Sequence, residues 1–147
     1  MKVSIITLTY NSEKAILRCL QSINSQSYNN IEHIIIDGES TDRTIQIINE
    51  NSVKSILISE KDAGIYDAWN KGMKLATGDI VGTVMSDDYL KNEHSIQSIV
   101  EAFQKENCDI VYGNMDFVLN GEIIRKWKAG NFRKYKYYFG WMPPPPA

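Results

Sequence analysis

Two aspartates stand side by side at Asp87 and Asp88, directly after Ser86 and the apolar end of a run, in the stretch TVMSDDYL. Adjacent carboxylates repel and raise one another's pKa, so the pair is either a solvated turn or a site that takes a cation. Taken alone, the turn carries more weight, because Asp is a common turn residue. The other acids shift the balance. Ile- and Val-rich runs cover residues 3–8, 31–36, 55–59, 79–85 and 109–113. The first is followed by Thr9, Tyr10 and Asn11, the second by Asp37, the third by Glu60, Lys61 and Asp62, and the fourth by Ser86, Asp87 and Asp88. In an open parallel sheet, ligands bind beyond the carboxyl ends of the strands. The expectation is therefore a rim of five carboxylates, whose repulsion a divalent cation would relieve. A hard ion such as Mg²⁺ or Mn²⁺, held by one or two acids, completes its shell with water and phosphate oxygens, which implies a diphosphate or triphosphate compound. The segment TYNSEK after the first run lacks the G-x-G-x-x-G of a dinucleotide fold, and no P-loop is present.

The elements that must position these groups follow from periodicity. The apolar runs alternate with segments of helical period, the pattern of parallel strands joined by crossover helices. A first helix is expected from near Ser12, capped by Asn11, with Ile16, Leu17, Leu20 and Ile23 facing inward. A second comes after GESTDRT, with Ser40 or Thr41 as cap, Asp42 as an amino-terminal charge, and Ile45 and Ile48 facing the sheet. In the third, IYDAWNKGMKLA, the residues Ile65, Trp69 and Met73 form the expected core stripe, and Gly78 the stop. The fourth, over 93–105, buries Ile96, Ile99, Val100 and Phe103. Asn120-Gly121 between two alternating runs predicts a β-hairpin. The expected fold class is α/β: a Rossmann-like mixed sheet, mostly parallel, flanked by helices, with a C-terminal β-hairpin.

The chain has 147 residues, enough for one domain with a real core, and its net charge of −2 gives no sign of a nucleic-acid partner. Cys19 and Cys108 lie far apart without metal-ligand spacing and read as reduced, buried thiols. The opening MKVSIITLTY does not read as a leader, and no apolar run approaches a membrane span, so the expected location is the cytoplasm. Between Arg125 and Lys136 the chain carries Lys and Arg but no acid, interleaved with aromatic residues. That stretch reads either as a solvated edge or as a contact with an anionic membrane surface at the inner face of the cell membrane. The organisation expected is one domain over 1–130 and a basic, aromatic tail over 131–147, whose four prolines run extended. A homodimer is left open.

Two other acid-bearing folds fail on order. A phosphoacceptor receiver wants its acid pair after the first strand and a lone Asp after the third, and a haloacid-dehalogenase-like phosphatase wants a nucleophilic Asp after the first. A nucleotidyltransferase would use a glycine-rich basic loop there. The segments VSIITLTYNSEKAILRCLQSINSQSY, IEHIIIDGESTDRT, SEKDAGIYDAWNKGMKLATGDIVGTVMSDD and DIVYGNMDF, in that order, strongly resemble glycosyltransferase family 2, in its bacterial branch that builds surface polysaccharides. The resemblance extends over nearly the whole chain.

It implies a GT-A type fold, a nucleotide-sugar donor, a divalent cation (Mg²⁺ or Mn²⁺) and inversion at the anomeric carbon. By the same resemblance Thr9, Tyr10 and Asn11 line the nucleotide pocket and Asp37 receives the base, uracil being favoured. Lys61 and Asp62 close over that base, with Asn70 on the helix facing it. Asp87 binds ribose or sugar and shares the metal with Asp88. Transfer would be of a hexosyl type, to a polysaccharide, lipopolysaccharide or lipid-linked acceptor. Inversion also needs a general base, which in the family comes from farther along than Ala147, so the chain reads as the donor-binding half of a transferase. Its closing GWMPPPPA departs from the family's GWMPPHPT, with Pro145 in place of a histidine and Ala147 in place of a threonine. The runner-up reading is a non-catalytic nucleotide-sugar-binding module.

Overall fold

The computed structural model describes residues 1–133, 135 and 138. Its main sheet is built from β1 (Val3–Thr9), β2 (Ile31–Asp37), β3 (Ser55–Ser59) and β4 (Ile80–Thr83), all parallel, in the order β3-β2-β1-β4. Helices α1 (Ile16–Asn24), α2 (Thr44–Asn51) and α3 (Ile65–Leu75) make the crossovers, and α4 (Ser95–Glu106) comes after β4. Every residue of β1 is buried, the mark of a central parallel strand covered on both faces. Val3, Ile5 and Ile35 pack beneath α1, α2 and α4, while Ile6, Leu8, Ile34 and Ile36 face α3. Each inaccessible isoleucine of this sandwich contributes about 1.5–3 kcal/mol of transfer free energy.

The α/β architecture is as expected, with differences in detail. The run 109–113 is not a strand. It lines an apolar hollow beside the open edge of β4, of about 710 Å³, but belongs to no ladder among the described residues. Helix α1 starts at Ile16 because residues 12–15 form a preceding turn, in which Ala15 and Ile16 both donate to the Ser12 carbonyl. Asn11 is not its cap: it has φ 47° and reaches the loop after β2 instead. At α2, Asp42 takes the capping part expected of Ser40 or Thr41, accepting from the Thr44 backbone N–H at 2.9 Å.

The largest difference is in α3, where Ile65, Trp69 and Met73 are 55%, 43% and 47% exposed. The inward line is Ala68 and Gly72, and a Cβ at Gly72 would stand 2.6 Å from Ile6 Cγ2. Small residues let the helix lie close on the sheet. The bulky stripe sits one residue, about 100°, round the helix and is left outside. The hairpin forms as expected from β5 (Met115–Leu119) and β6 (Glu122–Trp127), with Asn120 at φ 51° and Gly121 at φ 85° in its two-residue turn. It is its own two-stranded sheet, apart from the parallel one. The Pro-rich run with Pro145 and Ala147 lies outside the described residues.

Both cysteines are free. Cys19 is buried, and burial pushes its thiol up to about 12, whereas Cys108 is only half-buried. Beside Cys19 the core holds His33, whose Nε2 shares a hydrogen bond of 2.9 Å with Thr7 Oγ1. Its Nδ1 has no hydrogen-bond partner among the described residues, and burial lowers its pKa from 6.5 to about 4. The folded chain thus keeps His33 neutral where the unfolded chain protonates it. Stability from this site is complete above 6.5 and is lost as pH falls towards about 4. Urea midpoints are expected to drop across that window, and His33→Gln to flatten the drop.

Candidate active site

The chain passes from β2 outward to β3 and then returns across the sheet to β4, so the strand order reverses beside β1. That reversal opens a crevice at the carboxyl ends of the strands. A cleft of about 780 Å³ lies there. The end of β1 contributes Thr9 and Tyr10, the loop after β2 Gly38, Glu39 and Thr41, the loop after β3 Lys61, Asp62 and Gly64, and the end of β4 Ser86 and Asp87.

Local bonds explain why these walls hold their positions. Beyond Thr83, Val84 and Ser86 still donate to the Ile6 and Leu8 carbonyls, at 3.1 and 3.2 Å, which extends the β1 ladder to the acid pair. Ser86 Oγ and Ser12 Oγ, 2.9 Å apart, then join the β4 end to the loop after β1. Lys71 on α3 pairs with Glu60 at 2.9 Å and donates to the Lys61 carbonyl at 3.0 Å, clamping the loop after β3 onto the helix. Within that loop Asp62 Oδ1 accepts from the Gly64 backbone N–H at 2.8 Å. Its other oxygen lies against Gly38, where a Cβ would stand 2.9 Å from Oδ2 and 3.4 Å from Tyr10 Cδ2. Only glycine leaves room there for Asp62 and Tyr10 together.

Of the residues expected from the sequence, Thr9, Tyr10, Lys61, Asp62 and Asp87 line the cleft, and Asn11, Asp37, Asn70 and Asp88 do not. The rim of five acids is therefore smaller: of those five, only Asp62 and Asp87 line it, joined by Glu39, which the strand-end pattern did not mark. Asn11 braces the rim from outside, its Oδ1 accepting from the Thr41 N–H at 2.9 Å. Asn70 is exposed, two residues or about 200° round α3 from the cleft-lining Ala68. Asp37 is inaccessible, and both of its oxygens are engaged. Oδ2 accepts from the Ser40 N–H at 2.9 Å and Ser59 Oγ at 2.7 Å, and Oδ1 accepts from Ser40 Oγ.

Asp87 is exposed and Asp88 half-buried. Burial, and then the Asp87 charge, push the Asp88 carboxyl above its ordinary 3.8. Among the described residues no group of three or more His, Cys, Asp or Glu side chains could hold a metal by itself. A cation at the pair must take most of its ligands from water or substrate. Thr9 Oγ1, on a residue that lines the cleft, is buried without a hydrogen-bond partner among the described residues. Ser12, Gly38 and Ser40, which help hold the site together, were not read as site residues, because serine and glycine near turns are too common to stand out.

Known proteins resemble this chain in sequence and fold. The family model for glycosyl transferase family 2 matches residues 4–144. Glycosyltransferase GlyG of Streptococcus pneumoniae is 33% identical over 117 residues, covering 76% of this chain and 38% of its own. A PGL/p-HBAD biosynthesis glycosyltransferase of Mycobacterium tuberculosis is also 33% identical over 117 residues, covering 76% of this chain and 46% of its own. The chain thus spans less than half the length of these relatives. Among solved structures, S. aureus TarS 1-349 in complex with UDP-GlcNAc superimposes with a TM-score of 0.74 at 30% identity, over 85% of this chain and 37% of that one. The same protein with UDP gives a TM-score of 0.72 at 31% identity, over 85% of this chain and 38% of that one. No helix among the described residues is long and apolar enough to cross a membrane. The matching fold is of GT-A type, and the chain belongs to glycosyltransferase family 2.

Proposed function

We propose that the cleft binds the nucleoside diphosphate of a sugar donor, with uridine as the nucleoside, and that the chain serves inverting transfer of a hexosyl group to a glycan or lipid-linked acceptor. The observation that carries this is the cleft at the carboxyl ends of the parallel strands, walled by Thr9, Tyr10, Lys61, Asp62 and Asp87. The TarS complexes with UDP-GlcNAc and UDP support a uridine nucleotide. Such donors are made in the cytoplasm, which is where the proposal places the chain, at the inner face of the membrane when the acceptor is lipid-linked.

Each wall has a task in this reading. Tyr10, 64% exposed, offers a ring face to the base or ribose, and Asp62 accepts from the donor's polar hydrogens. Lys61 contributes positive charge facing the diphosphate. Asp87 and Asp88 fit a divalent cation: the pair supplies two hard oxygens, no larger acid cluster among the described residues competes for the ion, and Asp88 already suffers the like-charge strain a cation relieves. A bound Mg²⁺ or Mn²⁺ would offset the negative charge growing on the departing diphosphate. Asp37 works one step back, fixing Ser40 and through it the loop beside Tyr10 and Asn11. Neither histidine serves as the general base: His33 is buried in the core, and His94 shares a hydrogen bond with Ser27 Oγ away from the cleft.

Calorimetric titration of UDP into the folded chain with Mn²⁺, and again with EDTA, tests the proposal. Binding that depends on Mn²⁺ is expected. Stronger binding of GDP than of UDP would move the donor away from uridine, and no heat with any nucleoside diphosphate would refute the donor cleft.

A further inference from the structure

The hairpin formed by β5 and β6 has no hydrogen-bonded neighbour in the parallel sheet. An isolated two-stranded ribbon is marginal in water and needs something to bury against. Instead it leaves Leu119, Ile123 and Ile124 exposed at 58%, 49% and 64%. The strand register, with a bulge that leaves Ile124 unpaired, sets Ile123 and Lys126 on one face and Arg125 with Phe117 and Leu119 on the other, so each face carries an aliphatic side chain and a cation. Glu122, beside the turn, is the one acid of β6.

Charge identifies the occupant. Six of the sixteen Lys and Arg residues fall between Arg125 and Lys136, a stretch without an acid, and the rest of the chain carries eight more acids than bases. Arg125 lies over the Phe117 ring at 5.4 Å, and no salt bridge among the described residues involves Arg125, Lys126, Lys128 or Arg133. Phe132, Tyr135 and Tyr138 are exposed in the same stretch. We infer that the β5–β6 hairpin and the basic residues Lys128 and Arg133 after it form a docking surface for an anionic lipid bilayer. Cations held beside aliphatic and aromatic side chains suit the boundary between headgroups and acyl chains. A nucleic acid would use the cations and the rings but has nothing to offer Leu119, Ile123 and Ile124. The surplus acid on the remaining body turns it away from such a membrane. Lys91, three residues past Asp88, pairs with Asp116 of β5 at 2.9 Å, so the docked hairpin stays tied to the loop after the acid pair.

Docking of this kind is independent of the donor cleft, and its test needs no nucleotide. The full chain is sedimented with vesicles of phosphatidylcholine alone and of phosphatidylcholine mixed with phosphatidylglycerol. Capture by the anionic vesicles only is expected, and it should be lost in about 1 M salt, where the Debye length is about 3 Å. Lys128→Glu with Arg133→Glu changes two positions outside the strands and should weaken capture by at least about tenfold, each charge near the surface counting strongly. Ile124→Ser should weaken vesicle capture while leaving retention on an oligonucleotide column unchanged. Equal capture by both vesicle types, no capture at low salt by a chain with native circular dichroism, or tighter binding to the oligonucleotide than to anionic vesicles would each overturn it. UDP titration of the same samples reads the donor cleft independently.

Discussion

Asp88→Asn is expected to leave the metal-free chain at least as stable as the parent at neutral pH, while weakening Mn²⁺-dependent UDP binding about a hundredfold, or about 2.7 kcal/mol. The two effects have one cause. Burial and the neighbouring Asp87 charge raise the Asp88 pKa in the folded chain, so the fold holds a proton there more firmly than the unfolded chain does. With the folded pKa raised, this site favours the fold below its ordinary 3.8, and the contribution is lost as pH rises through the shifted value. At neutral pH the ionised carboxylate is therefore a burden on the metal-free fold. No hydrogen bond to the Asp88 side chain offsets it among the described residues, although its backbone N–H donates to the Met85 carbonyl at 3.0 Å. Asparagine keeps the shape and removes the charge. A cation loses one of its two carboxylates, and the diphosphate loses the ion it shares. Asp87→Asn should weaken UDP binding similarly with a smaller gain in stability, because it removes the charge beside Asp88 but leaves the burial of Asp88, the larger cause. Thermal melts without metal, paired with calorimetry with Mn²⁺, separate the two variants. An Asp88→Asn chain that binds UDP and Mn²⁺ like the parent would assign the cation to Asp87 alone.

The sheet was legible in the sequence because its cause is local. Short runs of Ile and Val suit parallel strands, and β1 to β4 fall where four of those runs are, with all of β1 and most of β2 buried. The hairpin was legible because Asn120-Gly121 accepts positive φ at both turn positions. What failed depended on partners distant in sequence. The run 109–113 has strand composition, but a strand exists only where a neighbouring edge meets it in register, and none among the described residues does. For α3 the largest side chains were assigned to the core, yet close approach of helix to sheet selects the smallest, Ala68 and Gly72. The site shows the same division. Placing polar residues after the strands located the cleft and six of its lining residues, Thr9, Tyr10, Lys61, Asp62, Ser86 and Asp87, since topology alone sends them there. It could not tell which carboxylates were already engaged. Asp37 looks as available as Asp87 in the sequence, and only Ser40 and Ser59, three and twenty-two residues away, distinguish them.

That distinction predicts the second large effect, at Asp37. Asp37→Ala is expected to destabilise the chain by roughly 3 to 5 kcal/mol, since hydrogen bonds to a charged acceptor are worth roughly 1.5–3 kcal/mol each and do not add fully. Three donors lose their acceptor at once: the Ser40 N–H, Ser40 Oγ and Ser59 Oγ. Ser59 closes β3 and Ser40 lies in the loop after β2, so the carboxylate ties together two walls of the cleft. The effect reaches a third wall, because Ser40 Oγ accepts from the Asn11 backbone N–H at 2.8 Å and Asn11 in turn holds the Thr41 N–H. Asp37→Asn should cost less than alanine, as its carbonyl keeps one acceptor, but its amide cannot accept from the second donor. Urea unfolding measures the loss of stability, and UDP titration under conditions where the variant remains folded measures the damage to the cleft. If Asp37 anchors the walls, the stability loss appears without nucleotide and UDP affinity falls with it. If Asp37→Ala unfolds within about 0.5 kcal/mol of the parent, the range of an unremarkable surface change, yet no longer binds UDP, the anchoring role fails. The carboxylate would then have to leave Ser40 and Ser59 and meet the base directly, as the family resemblance implies.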